Sequence, residues 1–231
     1  MKDDLRYELK LVCAPQQLPQ ARSWVRLHPA GFGVAFPPRR VNSLYLDTPH
    51  LSSLDDNLMG LAQRQKLRLR WYGHEMTLVQ PVLELKQKHN LVGRKEQVPL
   101  ACELDLGQPW PEILAALRSE LRACGEPGAQ KLALALQKTH QPTLLNHYRR
   151  EYYVTPDGAV RVTLDFDQAA YDQRLSPRPN LRLRLPIAGA TVIEIKTSRE
   201  HASRLPQIAA CFPLRRSRNS KYARAMTVAL G

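Results

Sequence analysis

The sequence predicts an α+β protein that consists mainly of antiparallel β-structure, arranged as a closed barrel with peripheral helices and a C-terminal helix. Nine segments show the alternation of apolar and polar residues, or the β-branched and aromatic runs, that are typical of strands. Helical patterns are fewer and do not alternate regularly with the strands, as they would in a fold with a parallel sheet. Charged residues recur on one face of several strands, and a barrel would gather such faces in its interior.

Turn-forming residues separate several of the predicted strands. Thr155-Pro156-Asp157-Gly158 indicates a hairpin between two strong strands, and Asn90-Leu91-Val92-Gly93 is a weaker signal of the same kind. In chain order, the predicted strands are Leu5–Val12, Val41–Asp47, Gln63–Tyr72, Leu78–Lys88, Lys95–Leu100, Leu145–Val154, Val160–Asp167, Leu181–Leu185 and Thr191–Lys196.

Apolar residues at helical spacing predict the peripheral helices. Pro111 suits the first turn of a helix that ends at Cys124. Ser198 suits the cap of a helix that runs towards Ala210 and is interrupted near Pro206. The other predicted helices are Pro15–Leu27, Lys131–Lys138 and a final helix from about Asn219 to Leu230.

The charge balance of the chain points to an anionic partner. The chain has 231 residues, of which 43% are apolar, so it can bury a full core in one large domain or in two small ones. Lys and Arg number 34 against 21 Asp and Glu, which gives a formal net charge of +13. Such an excess is typical of proteins that bind nucleic acid, a membrane surface or a phosphate compound. Composition alone does not distinguish these from a basic surface that only keeps the protein soluble.

The cysteines and the chain's apolar segments bear on its location. Cys13, Cys102, Cys124 and Cys211 are widely separated and form no Cys-x-x-Cys pair. We interpret them as reduced thiols of a cytoplasmic protein, and a zinc site is not expected. The first residues lack the apolar stretch of a signal peptide. No segment approaches the roughly 20 apolar residues of a membrane span, so we expect no membrane segment.

One predicted strand carries an unusual row of positive charge. Successive side chains on a strand point to opposite faces, so Arg64, Lys66, Arg68 and Arg70 share one face of Gln63–Tyr72. Neighbouring charges in this row lie roughly 7 Å apart and repel by ~0.6 kcal/mol in water, or ~2.4 kcal/mol at an effective dielectric near 20. Inside a protein such a row is costly unless an anion offsets it. A solvated outer face would explain a single strand of this kind.

The pattern recurs, and this favours a shared interior that binds an anion. Further strands put charged residues on one face: Arg6, Glu8 and Lys10; Glu84, Lys86 and Lys88; Arg161, Asp165 and Asp167; Arg182 and Arg184; and Glu194 and Lys196. Phosphoryl transfer suits such an interior, because it depends on alignment and on neutralising charge at phosphate oxygens. Arg and Lys bind those oxygens, and carboxylates on the same faces can hold Mg²⁺ or Mn²⁺.

Eight short motifs occur in a fixed order over nearly the whole chain. They are Arg6-Tyr7-Glu8-Leu9-Lys10, Ser43-Leu44-Tyr45-Leu46-Asp47-Thr48, Lys66-Leu67-Arg68-Leu69-Arg70-Trp71-Tyr72-Gly73, Glu84-Leu85-Lys86, Tyr148-Arg149-Arg150, Arg161-Val162-Thr163-Leu164-Asp165, Glu194-Ile195-Lys196 and Ser220-Lys221-Tyr222. Together they resemble the VTC-type polyphosphate polymerase domain of the triphosphate tunnel metalloenzyme superfamily, in its stand-alone bacterial form.

The resemblance implies both a fold and an activity. The implied fold is a single tunnel domain over residues 1–231, formed by an eight-stranded closed antiparallel barrel. The implied activity is that of a phosphotransferase, which adds the terminal phosphate of a nucleoside triphosphate, usually ATP, to growing inorganic polyphosphate with Mn²⁺ or Mg²⁺. ATP and inorganic polyphosphate are therefore the expected partners, and nucleic acid is not.

The motifs and the parity of the strands together select the candidate site residues. The residues expected to act on the triphosphate are Arg68, Arg70, Arg150 and Arg161, and the resemblance assigns the metal to Glu194. The expected phosphate-binding residues are Lys10, Lys66, Lys86, Lys95, Tyr148, Lys196, Arg218, Ser220 and Lys221. Arg149 and Arg150 have opposite parity, and the motif favours Arg150 as the inward one. We expect Glu8 and Glu84 to pair with Lys10 and Lys86.

Alternative functions remain open at this point. The hydrolytic CYTH branch of the superfamily carries Glu-x-Glu-x-Lys in its first strand, where this chain has Arg6-x-Glu8-x-Lys10. The replacement of the first glutamate favours a polymerase over a triphosphate or polyphosphate hydrolase. A non-catalytic polyphosphate-binding module would use the same residues. Nucleic-acid binding is disfavoured, because Tyr7, Trp71 and Phe166 lie opposite the charges rather than among them.

Overall fold

The structure, a computed structural model, describes residues 6–89 and 92–231. Leu5 of the first predicted strand, and Asn90 and Leu91 of a predicted turn, lie outside the described residues. The strands are β1 (Arg6–Cys13), β2 (Gly33–Asp47), β3 (Gln63–Tyr72), β4 (Leu78–Val79), β5 (Val82–His89), β6 (Val92–Pro99), β7 (Leu104–Asp105), β8 (Gln141–Val154), β9 (Val160–Asp172) and β10 (Thr191–Ser198). The helices are α1 (Leu18–Arg26), α2 (Ser52–Leu58), α3 (Trp110–Ala123), α4 (Ala129–Lys138), α5 (Arg204–Ala210) and α6 (Lys221–Leu230), with single-turn 3₁₀ helices at Pro15–Gln17 and Arg199–His201.

The strands form one large sheet and one small one. Within the described residues, eight strands pair in the order β1-β10-β9-β8-β2-β3-β5-β6, and β4 pairs with β7. The pairs β1–β10, β10–β9, β2–β3, β3–β5 and β5–β6 are antiparallel. The predicted α+β fold with a mainly antiparallel sheet is therefore confirmed. Hydrogen bonding between the described strands leaves β1 and β6 at the two ends of the order, so closure into a barrel stays a prediction.

The hairpin between β8 and β9 forms where the sequence predicts it. The N–H of Gly158 donates to the carbonyl of Thr155 at 2.8 Å, and Gly158 has a positive φ of 71°, which glycine adopts without strain. The carboxylate of Asp157 accepts hydrogen bonds from the hydroxyl of Thr155 and the N–H of Ala159. The turn residues therefore satisfy one another's polar groups, as expected for such a connection.

Prolines explain two differences between the predicted and observed strands. β2 begins at Gly33 rather than at Val41, and its added half contains Pro37 and Pro38. These residues are exposed, and a strand tolerates proline where the missing N–H would face solvent. The predicted strand Leu78–Lys88 is divided into β4 and β5 just before Val82, because Pro81 has no N–H to donate.

The predicted strand Leu181–Leu185 is wrong, since this segment is irregular in the structure. The side-chain oxygen of Asn180 accepts hydrogen bonds from the N–H groups of Arg182 and Leu183. These donors are used locally and cannot pair with a neighbouring strand. Leu183 is 78% exposed, so the alternating leucines do not mark a buried face.

Two helices differ from the sequence prediction. α2 has no helical pattern in the sequence, and the buried carboxylate of Asp47 stabilises its first turn by accepting the N–H groups of Ser53 and Leu54. The helix predicted from Ser198 towards Ala210 is interrupted, as expected, but the break lies between His201 and Arg204 rather than at Pro206. Pro206 lies in the first turn of α5, where a missing N–H is tolerated. No helix in the described part of the chain is both long enough and apolar enough to cross a membrane.

The chain divides into two compact units. Unit 1 contains Met1–Arg40, Tyr148–Gln168 and Ala188–Ser220; unit 2 contains Val41–His147, Ala169–Ile187 and Lys221–Gly231. In unit 1, apolar residues of β1, β9 and β10 pack against α1 and α5. In unit 2, apolar residues of β3, β5 and β6 pack against α3 and α4. The charged faces of these strands are turned away from the two cores. That residues 1–231 form a single domain stays a prediction.

Candidate functional site

In unit 1, four strands assemble a group of alternating charges, which we call the mixed-charge cluster. Its members are Glu8, Lys10, Arg150, Asp165, Glu194 and Lys196. The strand register produces the alternation, because Glu8 lies opposite Lys196 and Lys10 lies opposite Glu194. Opposite charges directly across an antiparallel pair attract each other. The pairing of β1 with β10 therefore brings the cluster together.

Lys10 and Lys196 share the carboxylates of Glu8 and Glu194. The Nζ of Lys10 lies 3.0 Å from Glu8 Oε1 and 3.3 Å from Glu194 Oε1. The Nζ of Lys196 lies 2.6 Å from Glu194 Oε2 and 4.0 Å from Glu8 Oε2. Burial lowers the pKa of Lys10, but the carboxylates of Glu194 and Glu8 outweigh burial and raise it overall. The predicted pairing of Glu8 with Lys10 is confirmed.

Arg150 is the buried centre of the mixed-charge cluster. Its Nη2 donates to Asp165 Oδ2 at 2.6 Å and to Glu194 Oε2 at 3.1 Å, and its Nε donates to Asp165 Oδ1. Burial opposes the charge on Arg150, but its interactions with Asp165, Tyr148 and Glu194 together outweigh burial and raise the pKa of the guanidinium. The same guanidinium lies 5.3 Å over the buried ring of Tyr148.

The charges of the mixed-charge cluster itself cancel, because it has three cations and three carboxylates. Arg161 is exposed and lies opposite Lys196. With it, the described residues place four cations (Lys10, Arg150, Arg161 and Lys196) beside three carboxylates (Glu8, Asp165 and Glu194). Within this cluster, the carboxylates of Glu8, Asp165 and Glu194 therefore offset the repulsion between the cations. Arg149 lies on the other face, 5.6 Å over the ring of Phe166, which confirms the parity prediction for Arg149 and Arg150.

Unit 2 has a different arrangement on β3, β5 and β6, which we call the basic face. Its members are Lys66, Arg68, Arg70, Lys86, Lys95 and Glu84. Lys66 lies opposite Lys86, and Lys86 lies opposite Lys95, so three lysines form one row across three strands. Arg64 and Lys88 are a further like-charged pair in register. Like charges directly opposite each other destabilise a sheet. Among the described residues of these strands, Glu84 is the only carboxylate on this face.

Glu84 binds the guanidinium groups of the basic face. Its Oε2 accepts hydrogen bonds from Arg68 Nη2 at 2.7 Å and Nε at 2.9 Å, and lies 3.7 Å from Arg70 Nη1. Its Oε1 lies 3.8 Å from Lys95 Nζ. Burial would raise the pKa of Glu84, but the three cations outweigh burial and lower it to about 2.

The partners of Glu84 differ from the predicted one. The sequence suggested Lys86, its neighbour on the same face of β5. The structure shows Glu84 bound to Arg68, which lies directly opposite on β3. Residues opposite each other in an antiparallel pair lie closer, at about 5 Å, than residues two apart on one strand, at about 7 Å.

Two tyrosines connect the basic face with the C-terminal helix. Arg68 Nη1 donates to the hydroxyl of Tyr45 at 3.3 Å, and the ring of Tyr222 stacks on Tyr45 with 4.8 Å between centroids. The hydroxyl of Tyr222 donates to Asp47 Oδ2 at 2.7 Å, and the Nζ of Lys66 lies 5.8 Å from the centroid of the Tyr222 ring. Tyr222 is the second residue of α6, so the start of that helix contacts Arg68 through the side chain of Tyr45.

The segment before α6 lies beside Lys10. The Nζ of Lys10 donates to the carbonyl of Asn219 at 2.9 Å, and Arg218 lines the same cleft as Lys10. Ser220 directly precedes Lys221, the first residue of α6. A helix N-terminus offers free N–H groups to an anion, which agrees with the predicted phosphate-binding role of Ser220 and Lys221. That role stays a prediction.

Comparison with known proteins identifies the family. The family model of the VTC domain matches residues 5–230. The chain belongs to the VTC domain family. A search of curated protein sequences finds no match.

Solved structures are similar to this VTC domain. A protein from Vibrio parahaemolyticus, described as a "putative adenylate cyclase", is 12% identical with a TM-score of 0.51, over 97% of this chain and 98% of that chain. The PH1819 protein from Pyrococcus horikoshii OT3 is 13% identical with a TM-score of 0.48, over 96% of this chain and 98% of that chain. At such low identity the Vibrio protein indicates a common fold alone.

The VTC domain offers a small set of oxygen ligands for a divalent metal. Among the described residues, no three His, Cys, Asp or Glu side chains form a metal-binding group. Mg²⁺ commonly needs one or two protein carboxylates, because substrate phosphates and water complete its shell. Glu8 and Glu194 form such a pair. Their carboxylates lie close together, because the ammonium groups of Lys10 and Lys196 each contact both of them. The buried hydroxyl of Thr163, opposite Glu194, has no hydrogen-bond partner among the described residues. These donors fit a metal that binds together with phosphate.

Sequence reasoning missed several residues outside the two clusters that contact candidate site residues or one another. The sequence selects neither Tyr45 nor Asp47 as a site residue, because a strand pattern does not reveal that they contact Arg68 and Tyr222. Phe36 and Arg39 of the VTC domain contact Tyr152 in unit 1. They lie in the proline-containing half of β2, which shows no strand pattern, so no parity argument selects them.

Proposed function

We propose that this VTC domain is a metal-dependent polyphosphate polymerase, which transfers the terminal phosphate of a nucleoside triphosphate such as ATP to growing inorganic polyphosphate. The observation that carries the proposal is the row of Lys66, Lys86 and Lys95 in register on the basic face. Three like charges in one row raise the energy of the ligand-free sheet. A chain of phosphates would offset this repulsion, because it matches the row with a series of negative charges.

The chemistry of the side chains supports specific roles. Guanidinium groups bind phosphate oxygens through two parallel hydrogen bonds, and ammonium groups supply point charge. The residues proposed to act on the triphosphate are Arg68, Arg70, Arg150 and Arg161. Those proposed to bind phosphate are Lys10, Tyr148, Lys196, Arg218 and Ser220 in unit 1, and Lys66, Lys86, Lys95 and Lys221 in unit 2. We propose that the sheet closes into an eight-stranded tunnel and that residues 1–231 act as one domain.

We also propose that Glu194, with Glu8 beside it, holds Mn²⁺ or Mg²⁺. When bound, such an ion neutralises charge on phosphate oxygens. In the ligand-free chain, Lys10 and Lys196 neutralise Glu194 instead. Phosphate oxygens would attract these ammonium groups and leave the carboxylate of Glu194 to bind the metal.

The cysteines support a cytoplasmic location. All four lie in the described part of the chain and are free thiols.

Product analysis tests the polymerase. Purified protein given ATP and Mn²⁺ should form phosphate chains longer than pyrophosphate. Arg70→Ala should abolish these chains, because it removes a guanidinium from the basic face. Arg122→Ala is the matched control, since Arg122 is exposed on α3. Release of free phosphate without longer chains would identify a hydrolase and reject the polymerase.

One observation favours a second candidate, a non-catalytic polyphosphate-binding module. Both oxygens of Glu194 lie within hydrogen-bonding or ion-pair distance of cations, namely Lys10, Lys196 and Arg150. A carboxylate that only positions these cations would need no metal. This candidate predicts tight binding of inorganic triphosphate without turnover, and binding that does not change when Mn²⁺ is removed.

A further inference from the structure

An exposed group of flat side chains lies in unit 1, which we call the aromatic platform: Phe36 and Arg39 of β2, and Tyr152 of β8. The rings of Phe36 and Tyr152 meet edge to face, with 5.8 Å between centroids. The guanidinium of Arg39 lies 4.9 Å from the centroid of Tyr152 and 5.4 Å from that of Phe36. Arg39 therefore holds a cation against both rings.

Burial does not explain the aromatic platform. Phe36 is 55% exposed, and the described apolar core of unit 1 does not include it. A single exposed phenylalanine needs no explanation. Here, however, three planar groups pack together on the surface, and Pro37 and Pro38 restrict the backbone between two of them. A rigid, exposed group of this kind is typical of a surface that stacks on a planar ligand.

Strand geometry puts the platform next to the proposed phosphate site. Tyr148, Arg150 and Tyr152 alternate on β8, so their side chains share one face, with neighbours roughly 7 Å apart. Arg150 is buried, Tyr152 is half-buried and Phe36 is exposed. Exposure therefore increases from the guanidinium that we expect to bind phosphate towards the platform.

We propose that the aromatic platform binds the base of the nucleoside triphosphate. The inference rests on the proposed function and adds to it the group that distinguishes a nucleotide from inorganic triphosphate. A base is planar and stacks on aromatic rings and on guanidinium groups. In a nucleoside triphosphate, one ribose separates the base from the phosphates, so the base belongs just beyond the cations that hold them. The platform lies in that position relative to Arg150.

Equilibrium titration with two ligands tests the platform. The full chain is titrated, in the presence of Mg²⁺, with the β,γ-imido analogue of ATP and with inorganic triphosphate. Phe36→Ala should weaken binding of the ATP analogue roughly tenfold, because one stacking partner is lost. Binding of inorganic triphosphate should stay within a factor of about two. Phe36→Trp should restore the affinity for the ATP analogue, and Arg39→Ala should repeat the selective loss.

Leu134→Ala is the control, because Leu134 is an exposed apolar residue of α4 in unit 2, outside both clusters. If Phe36→Ala and Arg39→Ala leave both affinities unchanged, or weaken both ligands equally, the platform does not bind the base and the proposed function is unaffected. If the unsubstituted chain binds neither ligand, the proposed function fails and the inference fails with it. Thermal unfolding of each variant confirms that the chain is folded before titration.

Discussion

The carboxylate of Glu84 accepts two hydrogen bonds from the guanidinium of Arg68, at 2.7 Å from Nη2 and 2.9 Å from Nε. The two residues lie directly opposite each other, so the pair forms when β3 and β5 align. Glu84 is buried, yet its cationic neighbours lower its pKa to about 2. One carboxylate thus organises a face on which cations outnumber it, and the excess positive charge is what we expect phosphates to neutralise.

Acid should weaken the fold through Glu84. The pKa of Glu84 is about 2 in the folded chain and about 4.3 in an unfolded one. A lowered pKa adds stability that is fully present above the unfolded value and is lost as pH falls through the folded value. The loss should therefore develop between about pH 4.5 and pH 2 and amount to about 3 kcal/mol. Urea unfolding across this range measures it.

Glu84→Gln checks the assignment of that acid sensitivity. The variant should lose this part of the pH dependence and be less stable at pH 7, because Arg68 and Arg70 keep their charge without the carboxylate. Glu112→Gln, on the exposed side of α3, should behave like the unsubstituted chain. An unchanged acid profile in Glu84→Gln would show that Glu84 is not the group responsible.

The row of lysines should destabilise the ligand-free chain. Lys86→Met removes the middle charge and keeps most of the alkyl chain, so the ligand-free variant should be more stable by about 0.5 kcal/mol. Added inorganic triphosphate should raise the Tm of the unsubstituted chain more than that of the variant. Lys138→Met on α4 is the control. A variant that is less stable without ligand and gains as much from triphosphate would contradict the proposed cost of the row.

The hydroxyl of Tyr222 should stabilise unit 2. Tyr222→Phe removes the donor at 2.7 Å from the buried carboxylate of Asp47, which should cost about 1–3 kcal/mol of unfolding free energy. The stacking of the ring on Tyr45 is kept. Chemical denaturation measures the change. Tyr72→Phe, at a half-exposed position, should cost much less; equal effects of the two substitutions would reject a special role for the Tyr222 hydroxyl.

The pair of Arg150 and Asp165 should show strong coupling. Arg150→Ala leaves the fully buried carboxylate of Asp165 without its guanidinium, which should cost about 3–5 kcal/mol. The double variant Arg150→Ala with Asp165→Asn should cost less than the sum of the two single changes. A double-mutant cycle by urea unfolding measures the coupling. Additive costs would mean that the two side chains do not depend on each other.

The strands with strict alternation could be predicted from sequence together with the faces of their residues. β3 was predicted with its observed ends, and Arg68 and Arg70 share a face as expected, because leucines and cations alternate without exception between Lys66 and Arg70. The segment Leu181–Leu185 alternates just as regularly but is irregular in the structure. The side-chain oxygen of Asn180, which lies outside the pattern, accepts the backbone N–H groups of Arg182 and Leu183. Alternation therefore predicts a strand only where nothing local competes for the backbone.

The pairing of charges could not be predicted, because it depends on strand register. Parity places Glu84 and Lys86 on one face, but only the alignment of β3 with β5 shows that Arg68 is the nearer cation. The near-neutral balance around Glu194 likewise arises from the pairing of β1 with β10. Aromatic contacts between distant segments, such as Phe36 with Tyr152, leave no local pattern at all.

Calorimetric titration with inorganic triphosphate tests the basic face most directly. The unsubstituted chain should bind one triphosphate, with an affinity that falls as salt is added, because charges dominate the interaction. Lys86→Met and Lys95→Met should each weaken binding roughly tenfold, an effect of about 1.4 kcal/mol, while Lys138→Met should not. If both basic-face variants bind triphosphate as tightly as the unsubstituted chain, β3, β5 and β6 do not form the site at which the phosphates bind.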